Sequence, residues 1–249
     1  MRILGLDIGS RSVDAVWVED GAVVAYEIAD SGFEPAAVYA EFLSRGEHDV
    51  VVATGYGRHA ARQNLGCDAV TEIKAYAMGA SRLFPEAGAV LDIGGQDTKV
   101  IILSPQGHVA DFTMNDKCAA GTGRFLEVMA HALGYTLEEM ATAALDAATG
   151  VAISSMCTVF AESEVTCLVH RGVDRGRIAR GLHESIATRT LGSLKRLDAS
   201  GPLVFAGGVA KNPAMVRLIS DGFGDDVVVP VEAQTVGAYG AALSHIGSS

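Results

Sequence analysis

Two short segments carry residues that could bind a phosphate group and a metal ion. Residues 6–16 read LDIGSRSVDAV and residues 91–100 read LDIGGQDTKV, so an apolar strand, an aspartate and a glycine turn follow one another in both. A third glycine turn, VFAGGVAKNP, occupies residues 204–213. Glycine lets backbone N–H groups approach phosphate closely, and aspartate can hold hydrated Mg²⁺. One such turn alone more often only closes a hairpin, so the prediction of nucleotide binding depends on the matching pair.

Two cysteine segments lie between the second and third of these turns. Cys118 lies in NDKCAAGTGRF (115–125), where small residues and a predicted amphipathic helix follow it. Cys157 lies in SSMCTVFAESEV (154–165) and precedes Thr158, a good N-cap for another helix. A thiolate at a helix N-terminus is stabilised by unpaired N–H groups and by the positive end of the helix dipole. Nucleotide turns together with two such cysteines suggest that ATP chemistry is coupled to redox chemistry.

The number of cysteines limits how an iron–sulfur cluster could be held. A four-iron cube takes four thiolates, so Cys118 and Cys157 of one chain supply half of them. A two-fold homodimer would supply the other pair by symmetry. The alternative uses all four cysteines of one chain, but Cys67 lies in the other half of the predicted fold. Burial as small apolar residues is the expectation for Cys67 and for Cys167, which lies on an apolar helix face.

Composition and charge exclude several classes of partner. The 249 residues carry a net charge of −11 without a long run of Lys or Arg, which argues against nucleic acid and against an anionic membrane surface. No segment approaches the roughly 18 consecutive apolar residues that a membrane helix needs. The first residues, MRILGLDIG, enter a strand at once and leave no room for a signal peptide. We therefore expect a cytoplasmic protein.

The predicted elements repeat along the chain. A meander of three strands followed by a helix and a strand begins near residue 2 and again near residue 88, which predicts an α/β fold with two related halves. The predicted halves are 1–86, joined by the C-terminal helix 235–247, and 87–234, which carries both cysteine segments. The predicted strands are 2–8, 14–18, 21–28, 48–55, 88–93, 97–103, 108–113, 202–206 and 226–229. The predicted helices are 35–44, 71–83, 119–133, 136–146, 158–170, 175–198, 212–222 and 235–247.

The paired turns and the Gly-Gly turn resemble the phosphate and adenosine motifs of the superfamily that contains actin, Hsp70-type chaperones and sugar kinases. That resemblance implies a duplicated ribonuclease-H-like fold that holds ATP in a cleft between its halves. It implies catalysis by Asp7, Asp92 and Gln96. It implies that ATP or ADP and Mg²⁺ are bound by Gly9, Ser10, Arg11, Gly94, Gly95, Asp97, Gly207, Gly208 and Lys211.

Longer motifs resemble one family of ATPases. NDKCAAGTGRFLEVMA, VAISSMCTVFAESEV, ATGYGR, AMGAS, LDIGGQD and GGVAKN are similar to segments of the activators of 2-hydroxyacyl-CoA dehydratases, also called component A or archerase, and of the related ATPase subunits of benzoyl-CoA reductase. The resemblance implies a homodimer with one [4Fe–4S] cluster, bridged by Cys118 and Cys157 of each chain. It implies that an electron from ferredoxin or flavodoxin passes, with ATP hydrolysis, to an iron–sulfur dehydratase or reductase.

One residue departs from that family, and two other functions compete with the one it implies. Asp14 stands where the family usually has lysine, which would weaken ATP binding or change Mg²⁺ handling unless residue 14 points to solvent. A small-molecule kinase of the sugar or acetate kinase type would use the same turns, but it leaves the cysteine segments unexplained. A non-catalytic redox or nucleotide sensor is the second alternative. Turnover of a partner enzyme would separate the electron-transfer enzyme from the sensor.

Overall fold

The protein has two five-stranded mixed sheets with helices packed against them. The computed structural model describes residues 1–154 and 157–246. The strand order is β3-β2-β1-β4-β5 in the first sheet and β10-β9-β6-β7-β8 in the second. Read from its β8 edge, the second sheet repeats the order of the first, so the predicted duplicated α/β fold is confirmed. The strands are β1 (Arg2–Ile8), β2 (Ser12–Glu19), β3 (Ala22–Asp30), β4 (Val50–Thr54), β5 (Asp68–Ala69), β6 (Ala89–Ile93), β7 (Thr98–Leu103), β8 (Val109–Asn115), β9 (Leu203–Ala206) and β10 (Val227–Val228).

The helices lie where apolar residues recur at helical spacing, with one exception. They are α1 (Pro35–Arg45), α2 (Arg58–Leu65), α3 (Glu72–Leu83), α4 (Gly123–Leu133), α5 (Leu137–Asp146), α6 (Thr158–His170), α7 (Arg175–Arg196), α8 (Pro213–Phe223) and α9 (Val236–Ile246). The exception is α2, which buries only Ala61 and therefore carries no apolar stripe that the sequence could reveal. In the part of the chain that the structure describes, no helix is both long and apolar enough to cross a membrane.

The chain forms two compact units. The first contains Met1–Val90, Ile101–Phe112 and the described residues from Pro230 on; the second contains Leu91–Val100 and Thr113–Val229. The predicted division of the duplication into 1–86 with 235–247 and 87–234 stays a prediction, and its residue 247 lies outside the described residues.

Strands β1 and β2 of the first sheet are buried on both faces, whereas the edge strand β3 is largely exposed. Leu4, Leu6 and Ile8 of β1 pack on one face with Trp17 and Phe42. On the opposite face, side chains from the same sheet pack against α9; they include Ile3, Val16, Val18 and Val52. Burial of both faces explains why β1 and β2 read as nearly continuous apolar runs.

Glycines bring α9 into backbone contact with its neighbours. A Cβ at Gly240 would lie 1.7 Å from the carbonyl oxygen of Ala75 in α3. A Cβ at Gly5 of β1 would lie 1.9 Å from the carbonyl oxygen of Ala238. The position of α9 in the first unit therefore depends on the absence of side chains at these residues.

The structure corrects the predicted start of one helix. The prediction of helix 119–133 is wrong over residues 119–122, because α4 begins at Gly123. Residues 119–122 instead form a turn, in which the Thr122 N–H donates to the Ala119 carbonyl at 3.0 Å. Cys118 therefore lies in a loop and is separated from the first residue of α4 by that turn.

Replacing Gly240 by alanine should destabilise the fold, because the new methyl group would overlap a backbone oxygen. We expect Gly240→Ala to lower the free energy of unfolding by about 3 kcal/mol or more, measured by urea unfolding. Gly192→Ala is the matched control, since a Cβ there meets only Arg196 Nη1 at 3.9 Å and alanine favours a helix by about 0.5–1 kcal/mol. Equal unfolding midpoints for the two variants would contradict the close packing of α9.

Candidate functional site

Asp7 ends up in a space that glycines keep open. It lies near the end of β1 and is almost fully buried. A Cβ at Gly55 would lie 2.5 Å from Asp7 Oδ1, and one at Gly237 would lie 2.2 Å from Asp7 Oδ2. The turn after β1 is closed by the Gly9 N–H, which donates to the Ser12 carbonyl at 2.9 Å. Both carboxylate oxygens of Asp7 thus lie so close to a glycine that a side chain at Gly55 or Gly237 would collide with them.

Asp92 lies in the corresponding turn of the second unit and is part of a buried ion triad. Lys99 Nζ donates to Asp92 Oδ2 at 2.9 Å and to Asp97 Oδ2 at 2.7 Å. The exposed fractions of Asp92 and Lys99 are only 1 % and 2 %. Burial of a lysine at this depth requires paired carboxylates, and here it has two. Sequence analysis missed the role of Lys99, although its place two residues after Asp97 in LDIGGQDTKV was the available signal.

One buried carboxylate oxygen in this triad shows whether the residues around Asp92 suit a Mg²⁺ ion. Asp92 Oδ1 accepts no hydrogen bond within the described residues. A Cβ at Gly207 would lie 2.2 Å from this oxygen, so the space beside the oxygen depends on glycine at that position. Mg²⁺ prefers carboxylate and water oxygens, and the donor set of Asp92 and its surroundings fits a hydrated ion.

The two aspartate turns are built in the same way. Gly55 follows β4 with φ +86°, and Gly207 follows β9 with φ +83°, a backbone conformation that favours glycine. A Cβ at Gly55 would lie 2.5 Å from the Ile8 carbonyl oxygen, and one at Gly207 would lie 2.6 Å from the Ile93 carbonyl oxygen. The segment ATGYGR is therefore the counterpart of FAGGVA in the other unit, a relation that the sequence alone did not show.

The duplication breaks at Asp14. Asp14 pairs with Asp7 across β1 and β2, and both lie in the same unit with exposed fractions of 6 %. Lys99 stands at the matching position, seven residues after Asp92, as Asp14 stands seven residues after Asp7. Asp14 is buried and does not point to solvent. Its replacement of the lysine that the family usually has is therefore not expected to be neutral. At these two matched positions, the first unit has two buried carboxylates and the second has a carboxylate and an ammonium group.

The Gly-Gly turn leads into α8 through a capped connection. Gly208–Lys211 form a short 3₁₀ helix, and Asn212 Oδ1 accepts hydrogen bonds from the first N–H groups of α8. Asn212 Nδ2 lies 3.1 Å from Nε2 of the fully buried His183, whose Nδ1 lies 2.7 Å from the Ala179 carbonyl oxygen. The Nδ1 nitrogen therefore carries the proton, and burial lowers the pKa of His183. Sequence analysis did not identify this link between α7 and the turn.

The remaining residues implied for nucleotide binding lie at or near the surface of their turns. Gly9, Ser10, Gly94 and Gly95 are half-buried. The exposed members of the predicted set are Arg11, Gln96, Gly208 and Lys211.

Both predicted cluster cysteines present their thiols at the surface. Cys118 and Cys157 are exposed, and neither thiol forms a hydrogen bond within the described residues. The prediction of Thr158 as the N-cap of α6 is wrong, because Cys157 is the N-cap residue and Thr158 is the first residue of the helix. The first turn of α6 contains no acidic side chain and receives no side-chain cap. Thiolate sulfur is the ligand that iron–sulfur clusters take, so these two residues fit such a group. Residues 155 and 156 of the same segment lie outside the described residues.

The other two cysteines differ from each other. Cys67 is half-buried against the first-unit core, and burial raises the pKa of its thiol. The expectation that Cys167 is buried is wrong, because it is exposed on α6. The apolar residues around Cys167 in the sequence gave a misleading indication, since α6 buries only Ala161 and Val165.

Backbone hydrogen bonds join the Asp92 turn to the start of α4. The Gly123 N–H donates to the Gly94 carbonyl at 2.9 Å, and the Arg124 N–H donates to the Gly95 carbonyl at 2.8 Å. The loop that contains Cys118 leads directly into this helix start. In the second unit, a movement of the glycines beside Asp92 would therefore displace the helix that follows Cys118.

Removing the charge of Lys99 should leave two buried carboxylates without their cation. We expect Lys99→Met to lower the free energy of unfolding by about 3–5 kcal/mol, measured by urea unfolding at neutral pH. Lys195→Met, on an exposed part of α7, should change it by less than about 0.5 kcal/mol. A Lys99→Met protein as stable as the control would mean that the triad does not hold the turn.

Comparison with known proteins places the chain among ATPases. It is 43 % identical to the activator of lactoyl-CoA dehydratase from Anaerotignum propionicum, over 98 % of this chain and 96 % of that protein. The solved structure of component A of (R)-2-hydroxyglutaryl-CoA dehydratase from Acidaminococcus fermentans is 38 % identical, with a TM-score of 0.91 and coverage of 98 % of this chain and 97 % of the other. The activator of 2-hydroxyisocaproyl-CoA dehydratase from Clostridium difficile, solved with bound ADPNP, is 37 % identical, with a TM-score of 0.90 and coverage of 100 % and 95 %.

A more distant likeness supports the fold alone. A ROK family glucokinase from Streptomyces griseus aligns with a TM-score of 0.62 at 15 % identity, over 98 % of this chain and 99 % of the other. The model of the BadF/BadG/BcrA/BcrD ATPase family matches residues 4–244, nearly the whole chain. The chain therefore belongs to the BadF/BadG/BcrA/BcrD ATPase family.

Proposed function

We propose that this protein is an ATP-dependent electron-transfer activase. It takes an electron from ferredoxin or flavodoxin and delivers it to an iron–sulfur dehydratase or reductase. The observation that carries the proposal is the pair of exposed thiols at Cys118 and Cys157, in a chain whose family and turns are those of an ATPase. A kinase of small molecules would have no use for these thiols.

ATP hydrolysis is assigned to the two aspartate turns. Asp92 and Asp7 would each supply a carboxylate for hydrated Mg²⁺ in their own turn, and the ion would neutralise charge on the phosphates. The buried ammonium of Lys99 keeps the Asp92 carboxylate in a fixed orientation. Gln96 is exposed and therefore free to orient the attacking water. Backbone N–H groups of Gly9, Ser10, Arg11, Gly94 and Gly95, with Asp97, bind phosphate and metal, and Gly207, Gly208 and Lys211 bind the adenosine.

The cluster is assigned to a homodimer. Cys118 and Cys157 of each of two chains supply the four thiolates that a [4Fe–4S] cluster takes, and the bound cluster supplies a one-electron carrier. The side chains of Val159 and Phe160, which follow Cys157, are each 67 % exposed. Adjacent exposed apolar side chains are typical of a surface that a partner covers, which supports burial of this region against a second copy.

Coupling between the two sites is assigned to the start of α4. ATP binding repositions Gly94 and Gly95, and their carbonyls carry the displacement to Gly123 and to the loop of Cys118. A full switch between two states requires a roughly 10⁴-fold difference in affinity for the nucleotide, about 5.5 kcal/mol. A triphosphate that makes different contacts in the two states can supply this difference in affinity. ADP, which lacks the third phosphate, supplies a smaller one.

The thiol assignment predicts which serine variants lose iron. In anaerobically purified protein, Cys118→Ser and Cys157→Ser should each lose most of the iron and weaken the dimer, because each removes two of the four ligands. Cys167→Ser is the matched control, since Cys167 is equally exposed on the same helix. Iron and sulfide content with sizing chromatography provides the measurement.

Two outcomes of this experiment would contradict the dimer-bridged cluster. One is an iron-loaded monomer. The other is loss of iron from Cys167→Ser together with Cys67→Ser, which would instead favour four cysteines of a single chain.

The aspartate assignment predicts variants that lose hydrolysis but keep iron. Asp92→Asn and Asp7→Asn should lower the steady-state rate of ATP hydrolysis by at least about 10²-fold, because each weakens the hold on Mg²⁺ and water. Iron content should remain at the wild-type level, since the thiols belong to other segments. Asp198→Asn, at an exposed position, is the control. Unchanged hydrolysis in either site variant would show that the active site lies elsewhere.

A further inference from the structure

A polar cavity in the second unit lies beneath the loop of Cys118. Its volume is about 230 Å³, which is smaller than the usual pocket for a drug-sized ligand. Strands β7 and β8 contribute Thr98 and Thr113, the loop contributes Gly121, and the C-terminal part of α7 contributes Arg189 and Arg196. None of these residues is among those assigned to nucleotide binding or to the cluster, although Thr98 directly follows Asp97.

The cavity has two guanidinium groups and no carboxylate. Within the described residues, neither Arg189 nor Arg196 pairs with an acid, although the chain contains 30 Asp and Glu against 19 Lys and Arg. Arg196 Nη2 donates a hydrogen bond to Ser193 Oγ at 2.8 Å. A Cβ at Gly121 would meet Arg189 Cδ at 3.5 Å and Nε at 3.9 Å, so the arginine lies directly against this glycine.

Hydroxyl groups add donors without adding charge. Thr190 on α7 is 3 % exposed and Thr113 is half-buried, and neither side chain has a recorded hydrogen bond in the described chain. Two exposed arginines and two hydroxyl groups line this small, partly open cavity. Together they form the donor set that a tetrahedral oxyanion accepts from. A cation would find no anionic ligand among the residues that line this cavity.

We propose that this cavity is a binding site for a tetrahedral oxyanion, either free phosphate or the phosphoryl group of a small metabolite, with Arg189 and Arg196 as its charged ligands. The site is separate from the nucleotide turns and does not depend on the function proposed above.

Occupancy of the site would fix the loop that carries Cys118. Thr98 Oγ1 donates to the Gly121 carbonyl at 2.8 Å, and Asn115 Nδ2 donates to the Cys118 carbonyl at 2.8 Å. Both Thr98 and Asn115 line the cavity, so an anion bound there contacts the residues that hold both ends of the loop. The oxyanion is therefore expected to order residues 113–122.

Calorimetric titration of phosphate into the full chain, with the nucleotide site saturated by Mg-ADP, tests the proposal. Wild type should bind phosphate saturably at millimolar concentration, and Arg189→Gln and Arg196→Gln should each weaken binding at least about tenfold. Lys195→Gln is the matched control, because it removes the same charge from α7 without lining the cavity. Circular dichroism and unfolding midpoints verify that the variants are folded.

Two further arms distinguish the sources of the anion and test the effect on the loop. Glycerol 3-phosphate that binds more tightly than phosphate would identify a phosphoryl metabolite, whereas the reverse order would identify free phosphate. Hydrogen exchange of residues 113–122 should slow on binding in wild type and in Lys195→Gln, but not in Arg189→Gln. Absence of saturable binding to wild type, or equal affinity in the arginine variants and the lysine control, would overturn the proposal.

Discussion

The hydrogen bonds from the first N–H groups of α4 to the carbonyls of Gly94 and Gly95 are the contact on which the rest of the account depends. The first N–H groups of a helix have no partner within the helix and must find one elsewhere. Here the partners are the glycines that follow Asp92. A Cβ at Gly123 would lie 3.0 Å from the Gly94 carbonyl oxygen, so the close approach favours glycine at this helix start. The residues beside the proposed metal ligand and the loop of Cys118 are thereby parts of one hydrogen-bonded segment.

Buried charged groups also hold the turn after Asp92 in place. Lys99 is held by two carboxylates, and removal of its ammonium group would leave both carboxylates buried without their cation. The first unit repeats the backbone of this turn but replaces the ammonium by Asp14. This asymmetry distinguishes the chain from the pattern that its family resemblance predicted.

Local pattern was sufficient for most helices and for every strand except the two-residue β5, which the sequence analysis missed. Apolar runs that end in Asp-x-Gly predicted β1 and β6, and the repeated meander predicted the duplicated sheets. What the sequence did not reveal depends on partners that are distant along the chain. Helix α2 has no apolar stripe, and α4 begins late because its first N–H groups bind Gly94 and Gly95.

The candidate site shows the same division between local and distant determinants. The exposure of Cys118 and Cys157 agrees with their predicted availability, because small residues and a helix start are local features. The exposure of Cys167 and the burial of Asp14 were not predictable, because each depends on which elements pack against that face. The ion pairs of Lys99 required the tertiary structure for the same reason.

Coupling between the bound nucleotide and the loop of Cys118 should change how firmly the cluster is held. The rate at which a chelator removes iron from the anaerobic dimer should be compared with no nucleotide, with ADP and with a non-hydrolysable ATP analogue. The account predicts that the ATP analogue changes the rate more than ADP does, and that Gly123→Val, which crowds the contact with Gly94, removes the difference. Identical chelation rates in all three nucleotide states of the wild-type protein would contradict the account.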